Sequence, residues 1–228
     1  GARKGDDRYE YRPPLDLGNA RLRKLAAALA PSYVRYSGTW ANATYFDDSE
    51  QMAQQPPAGF DTVLTRAQWR GAVEFAQAVG ADVVTSFATS SGARDAAGVW
   101  QPEDSARLLR YTQSLGGSVA AAEFANEPNM IELTKPPAGY TPADYRRDYG
   151  RFHQWISEAS PQTLVLAPGA AELGEPVRTL SRLSGRMKVF DADELMSNDT
   201  PLPDAVSFHY YGGASQRCHV PLLGTKES

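Results

Sequence analysis

The tripeptide Asn126-Glu127-Pro128 closes an apolar run, VAAAEFA at 119–125, and that setting suits proton transfer. A carboxyl group projected from low-dielectric surroundings into a cleft is pushed toward a higher pKa, and so toward donating a proton near neutrality. The proline fixes the turn behind it, and the Asn126 amide suits a hydrogen bond to a sugar hydroxyl. Polar and aromatic residues gather in the same way behind other apolar runs, as Ser37-Gly38-Thr39-Trp40, Thr89-Ser90-Ser91 and His209-Tyr210-Tyr211-Gly212. Gly38-Thr39 also reads as a tight turn, and His209-Tyr210 as an aromatic strand end satisfied by packing and one hydrogen bond. Glu123 alternates onto the same side of a strand as Glu127 but deeper, the position of a structural charge partner. Arg94, Lys135 and Arg217 fall in loops behind strands, where local cations can meet an acidic ligand despite a net charge of −4.

Other chemistries drop out. The chain has no G-x-S-x-G, no G-x-G-x-x-G opening a helix and no G-x-x-x-x-G-K-[ST], which removes serine-hydrolase, dinucleotide and P-loop readings. Three histidines and the single Cys218 are scattered, and Cys218-His219 is not a zinc spacing. Neither a metal nor another cofactor is expected. Asn42-Ala43-Thr44 and Asn198-Asp199-Thr200 fit the glycosylation acceptor pattern, which is common by chance.

The elements that must position these residues alternate along the chain. Apolar runs at 33–37, 82–87, 119–125, 163–168 and 204–211 read as strands. Asn19 caps a helix carrying Leu22, Leu25, Ala26 and Leu29 up to Pro31, and Thr65 with Gln68 forms a capping box ahead of Trp69, Ala72, Val73, Ala76 and Val79, with Gly80 as the stop. Pro102-Glu103-Asp104 opens a third helix that ends at Gly116. Thr141-Pro142 opens the longest, whose face carries Tyr145, Tyr149, Phe152, Ile156 and Ala159. A weaker helix carries Leu173, Val177, Leu180 and Leu183; the segment between residues 40 and 65 reads as a long loop and 184–203 as poorly patterned. Strands alternating with helices predict an α/β fold with parallel βαβ units, either an open doubly wound sheet or a (β/α)8 TIM barrel. The first helix lacks a strand before it and the sequence after the fifth strand is loop-like, so the barrel reading is of an incomplete one, lacking the first and the last two of eight strands. In both architectures ligands gather at the carboxyl ends of the strands.

With 228 residues and 42% hydrophobic composition the chain can bury the core of one sizeable domain. Its acidic balance, 27 Asp and Glu against 23 Lys and Arg, disfavours nucleic acid as a partner. No run approaches the ~18 apolar residues of a membrane span, and GARKGDDRYE is too polar for a signal peptide.

Three segments in order, RLRKLAAALAPSYVRYSGTW at 21–40, AEFANEPN at 122–129 and VSFHYY at 206–211, resemble the heparanase family of retaining β-glucuronidases, the bacterial members most closely. The resemblance implies a (β/α)8 barrel with a separate β-sandwich domain, secretion or a periplasmic location, and cofactor-free cleavage of glucuronosides in heparan sulfate-like glycosaminoglycans. It implies Glu127 as proton donor, Asn126 on the sugar 2-hydroxyl, Tyr210 steering the nucleophile, and Gly38 and Thr39 in the substrate site. Trp40, His209, Arg94 and Arg217 complete the expected substrate-binding set. The family's nucleophilic Glu stands near the end of the seventh barrel strand, which has no counterpart up to Ser228. The expectation is therefore a second polypeptide, or a separate piece of one processed precursor, that supplies the nucleophile, the remaining strands and the β-sandwich. The paired lysines of animal heparanases after the third strand are absent, with Arg94 the nearby cation. An exo-acting β-glucuronidase and a non-catalytic carbohydrate-binding fragment are the alternative readings.

Overall fold

A computed structural model describes residues 14–50, 55–172, 188–197 and 199–210. Its strands are β1 (Ser32–Tyr36), β2 (Thr44–Asp47), β3 (Thr62–Thr65), β4 (Ala81–Ser86), β5 (Val119–Glu123), β6 (Leu164–Glu172) and β7 (Ala205–Tyr210). Its helices are α1 (Ala20–Ala27), α2 (Arg66–Val79), α3 (Glu103–Ser114), α4 (Ile131–Thr134), α5 (Pro142–Ala159) and α6 (Ala192–Leu195). Five strands form one all-parallel sheet in the order β1-β4-β5-β6-β7. Each main-sheet strand lies beside its predecessor in the chain, without the reversal of order that marks a doubly wound sheet. The result is a mixed α/β fold whose parallel sheet curls into a half-barrel, compatible with an incomplete (β/α) barrel. Among the described residues no helix is long and apolar enough to cross a membrane.

The helix ends follow the capping chemistry. The Asn19 side chain accepts from Leu22 N–H, Thr65 and Gln68 close a reciprocal capping box, and Thr141 does the same with Asp144 ahead of Pro142. Gly80 ends α2 in the left-handed conformation at φ 65°, which glycine adopts without a Cβ clash. Two segments differ from the sequence reading. The expected loop between residues 40 and 65 holds a small parallel pair, β2 against β3, in register from Thr44 opposite Thr62 to Asp47 opposite Thr65. Four residues each is too short for a periodic signal. β6 runs on to Glu172, past the expected stop at Pro168: the ladder to β7 slips between Pro168 and Ala170, and this irregularity accommodates a residue with no N–H. Within 184–203, α6 buries Leu195 and the segment before it buries Phe190. The weaker helix expected around Leu173–Leu183 lies outside the described residues.

The core is aromatic where the sheet meets α5. Phe87, Trp100, Phe124 and Phe152 pack with ring centroids 5.5 to 6.0 Å apart, and Tyr145 lies 5.7 Å from Phe124. Large rings at these separations bury much apolar area each and gain edge-to-face contacts besides. The same region holds a buried polar knot. Asp148, fully buried on α5, ion-pairs with Arg94, accepts from the Tyr140 hydroxyl at 2.8 Å and from Arg147 Nε at 2.8 Å. Arg94 also donates to the carbonyls of Thr89 and Gly98 and lies over the Tyr140 ring.

Asp104, in the first turn of α3, is buried beside Arg107. Desolvation outweighs the pull of that guanidinium and pushes its carboxyl up to about 6. The unfolded chain ionises this group near its ordinary value, so between about pH 4 and 6 the folded state binds more protons, and the ionised group opposes folding above that window. Stability is therefore expected to rise as pH falls from 7 toward 4, by up to about 2–3 kcal/mol from this group. Urea unfolding at several pH values checks it: Asp104→Asn should flatten that part of the profile, and an unchanged slope would refute the assignment.

Candidate active site

The carboxyl ends of β1, β5, β6 and β7 converge on Glu127. Beyond β5 the chain runs through Phe124 and Ala125, both buried, into Asn126 and Glu127. Glu127 has φ 51°, a left-handed conformation that a non-glycine residue holds only when its surroundings fix it. They do so through its backbone: Glu127 N–H donates to the Gly169 carbonyl at 3.1 Å, and its own carbonyl accepts from Met130 N–H at 3.0 Å. Its side chain is 7% exposed, with Oε1 3.0 Å from His209 Nδ1.

Two asparagines act as clamps on either side. The Asn42 side chain bonds both backbone groups of Asn126, donating from Nδ2 to its carbonyl and accepting its N–H on Oδ1, each at 2.9 Å. Asn129 grips Ala171 of β6 in the same way, at 2.9 and 2.8 Å. Ala171 lies in register with His209 on β7, so this second clamp connects the loop after Glu127 to the strand that carries its histidine partner.

Arg35, from β1, ties the floor together. Its Nη2 lies 2.5 Å from Glu123 Oε2, 3.0 Å from Asn126 Oδ1 and 3.2 Å from His209 Nε2, and its Nε is 3.1 Å from Glu123 Oε2. A guanidinium can only donate, so His209 accepts at Nε2 and carries its proton on Nδ1, which donates to Glu127. Arg35 thereby selects the tautomer that faces the carboxylate. Asn126 Oδ1 is engaged by Arg35, and among the described residues its Nδ2 makes no hydrogen bond, so the amide presents a donor to a ligand oxygen. Glu123, buried and paired with Arg35, holds the place of a charge partner.

Of the other expected site residues, Gly38 and Thr39 open a 3₁₀ turn, Thr39–Ala43, that delivers Asn42 to its clamp; Gly38 at φ 128°, ψ 176° needs glycine. Trp40, 48% exposed, lines a separate groove with Leu15 and Thr62. Tyr210 is 74% exposed, because the alternation that turns His209 inward turns its neighbour outward. It does not face Glu127. Arg94 was expected as a cation in the cleft, but its side chain is 2% exposed and committed to Asp148, so burial removes it from that role. Lys135 is ion-paired with Asp61. Arg217 lies outside the described residues. Among the described residues no cluster of three or more His, Cys, Asp or Glu could hold a metal ion.

Arg35, Asn42, Asn129 and Gly169 were not expected in the site from sequence; Asn42 stood out only as a glycosylation acceptor and Asn129 only as the residue after Asn126-Glu127-Pro128. A charge within YVRYS was the available signal for Arg35, since a charge set within a strand of a parallel sheet is rarely left unpaired. Gly169 sits at φ 67°, and a Cβ there would meet Glu123 Oε1 at 3.1 Å and the Ala125 carbonyl at 3.3 Å. Gly169→Ala is expected to shift the carbonyl that fixes Glu127; for the glycosidase proposed below this would lower kcat/KM by roughly ten- to a hundredfold, with a smaller loss in Tm. Wild-type kinetics in a folded Ala variant would remove Gly169 from the positioning set.

No family model matches the chain, and no curated protein shows significant similarity to it.

Proposed function

We propose that this chain forms the central part of the (β/α)8 barrel of a retaining glycoside hydrolase, a heparanase-like endo-β-glucuronidase acting on heparan sulfate-like glycosaminoglycans. The observation that carries the reading is Glu127. It is a buried carboxyl at the carboxyl end of a parallel strand, held in a left-handed conformation and aimed by a histidine N–H. In the first step Glu127 gives its proton to the leaving glycosidic oxygen. In the second it takes a proton from water, and the His209 Nδ1–H stabilises the carboxylate between the two. Asn126 Nδ2 donates to the sugar 2-hydroxyl.

Retaining chemistry needs a second carboxyl about 5 Å away as nucleophile. Among the described residues the outer edges of β1 and β7 pair with no further strand, and Tyr33, Val206 and Phe208 lie exposed there. A further segment closing the sheet between those edges would bring the nucleophilic Glu, and with it the β-sandwich and secretion that the resemblance implies. With Arg94 buried, recognition of the acidic substrate shifts toward hydrogen bonds from groups such as Asn126.

The test is stereochemical and uses the full protein. Hydrolysis of 4-nitrophenyl β-D-glucuronide, followed by the anomeric proton signals, should release the β-anomer first, and heparan sulfate should shorten from within. Release of the α-anomer first, or no turnover, overturns the proposal; release of terminal residues alone would establish the exo reading.

A further inference from the structure

A half-enclosed cavity of about 330 Å³ lies beside the carboxyl ends of β1 and β4, under α2 and α3. Neither Asn126 nor Glu127 lines it. Its walls are mainly apolar, with Phe46 from β2, Trp69 and Ala72 from α2, Phe87 beyond β4, and Leu108 from α3. The volume is about twice the ~150 Å³ of an engineered cavity that binds benzene, which leaves room for one substituted ring.

Tyr36, Ser37, Thr44, Gln68, Thr85 and Ser86 also line it, and each side chain has a hydrogen-bond partner within the chain; the unsatisfied polar capacity lies where α3 begins. Asp104 and Ser105 line the cavity and are 8% and 2% exposed. Both hydrogen bonds recorded for the Asp104 carboxylate, from Phe46 N–H at 3.1 Å and Arg107 Nη2 at 2.6 Å, fall on Oδ1. Ser105 Oγ has no hydrogen-bond partner among the described residues. A buried hydroxyl left unsatisfied costs free energy that a ligand can recover. Where α3 begins, the cavity thus offers a carboxylate oxygen and a hydroxyl.

That pattern selects a ligand. An anion would meet the Asp104 carboxylate, and a cation would lose its hydration among aromatic walls while Arg107 already neutralises that carboxylate. A neutral ring with one O–H donor suits both ends. We propose that this cavity is a binding site for a small neutral phenol, its ring against Phe46, Trp69 and Leu108 and its hydroxyl bonded to Asp104 and Ser105. The desolvated state of Asp104, with its carboxyl pushed up to about 6, is what an added donor would relieve. The wall opposite α3 includes Ser37 and Ser86, hydrogen-bonded to each other at 2.5 Å, and Ser37 Oγ lies 3.5 Å from Asn126 Oδ1. An occupant therefore sits one side chain from the candidate active site. The proposal is independent of the glycosidase reading.

Isothermal titration of the full chain with 4-propylphenol, against propylbenzene as its hydroxyl-free twin, tests it. Saturable one-to-one binding is expected, with propylbenzene weaker by roughly tenfold or more. Ala72→Leu, which fills the cavity from α2, should abolish binding of both compounds. Ser105→Ala should narrow the gap between the twins by weakening the phenol alone. No saturable binding up to millimolar phenol, equal binding of the twins, or unchanged binding by a folded Ala72→Leu variant would each overturn the proposal. Should Ala72→Leu fail to fold, the wild-type comparison and Ser105→Ala decide.

Discussion

Glu127→Gln is expected to lower hydrolysis of a β-glucuronoside with a poor leaving group by roughly 10² to 10⁴, while the protein still folds. Glutamine keeps the shape of the side chain, and its carbonyl oxygen can still accept from His209 Nδ1–H. The transferable proton is lost. The effect should depend on the substrate: a good leaving group needs little protonation, so the first step should suffer far less with 4-nitrophenyl β-D-glucuronide than with the polymer. Kinetics of the two substrates, with circular dichroism as a control for folding, separate a lost proton donor from a damaged fold. Near-wild-type turnover of the polymer by the folded variant would remove Glu127 from the acid–base role. Arg35→Met would release the His209 tautomer, but it also leaves the Glu123 carboxylate, 3% exposed, without its guanidinium, so it is compared with the double variant Arg35→Met with Glu123→Gln.

The second large effect falls outside the site. Asp148→Leu is expected to destabilise the fold by about 3–5 kcal/mol, because Arg94, with a side chain 2% exposed, would keep its charge without its carboxylate. Total stabilities of about 5–15 kcal/mol leave little after such a loss. Burial and the neighbouring carboxylate hold the Tyr140 hydroxyl far above its ordinary range, so it serves as a donor to Asp148 and would lose its acceptor too. The double variant Arg94→Met with Asp148→Leu should recover a substantial part of the loss, since it leaves no buried charge unpaired. Urea unfolding of the four proteins measures the coupling. Single variants within about 1 kcal/mol of the parent would mean that the knot contributes little.

Much of the scaffold could be read from local pattern, and the reasons are visible in particular residues. The central strands β4, β5 and β6 appear as apolar runs because they bury most of their residues, whereas no residue of the edge strands β1 and β7 is buried. The caps at Asn19, Thr65 and Thr141 are readable because the donor and acceptor lie within three residues of one another. The site was legible only where its chemistry is local. Asn126-Glu127 announces itself; the contact of Arg35 with Glu123 spans 88 positions and that of His209 with Glu127 spans 82, distances over which spacing says nothing. Arg94 looked like a loop cation because Asp148, its partner on α5, is 54 residues away. Tyr210 shows a conflict between two kinds of inference: the family resemblance favours it, whereas strict alternation along β7 turns it away from the side that His209 faces.

The clamp made by Asn42 carries a further consequence for how the protein can be produced. Asn42-Ala43-Thr44 has the form that oligosaccharyltransferases modify, and the atom they would modify is the side-chain nitrogen Nδ2. In the folded chain that nitrogen donates to the Asn126 carbonyl from a fully buried position. A sugar attached there during synthesis would occupy the space where Asn126 must sit, and the loop bearing Glu127 could not reach its left-handed conformation. A host that glycosylates this sequon would thus yield two species, one heavier by a glycan with the Glu127 loop displaced and one unmodified with the loop in place.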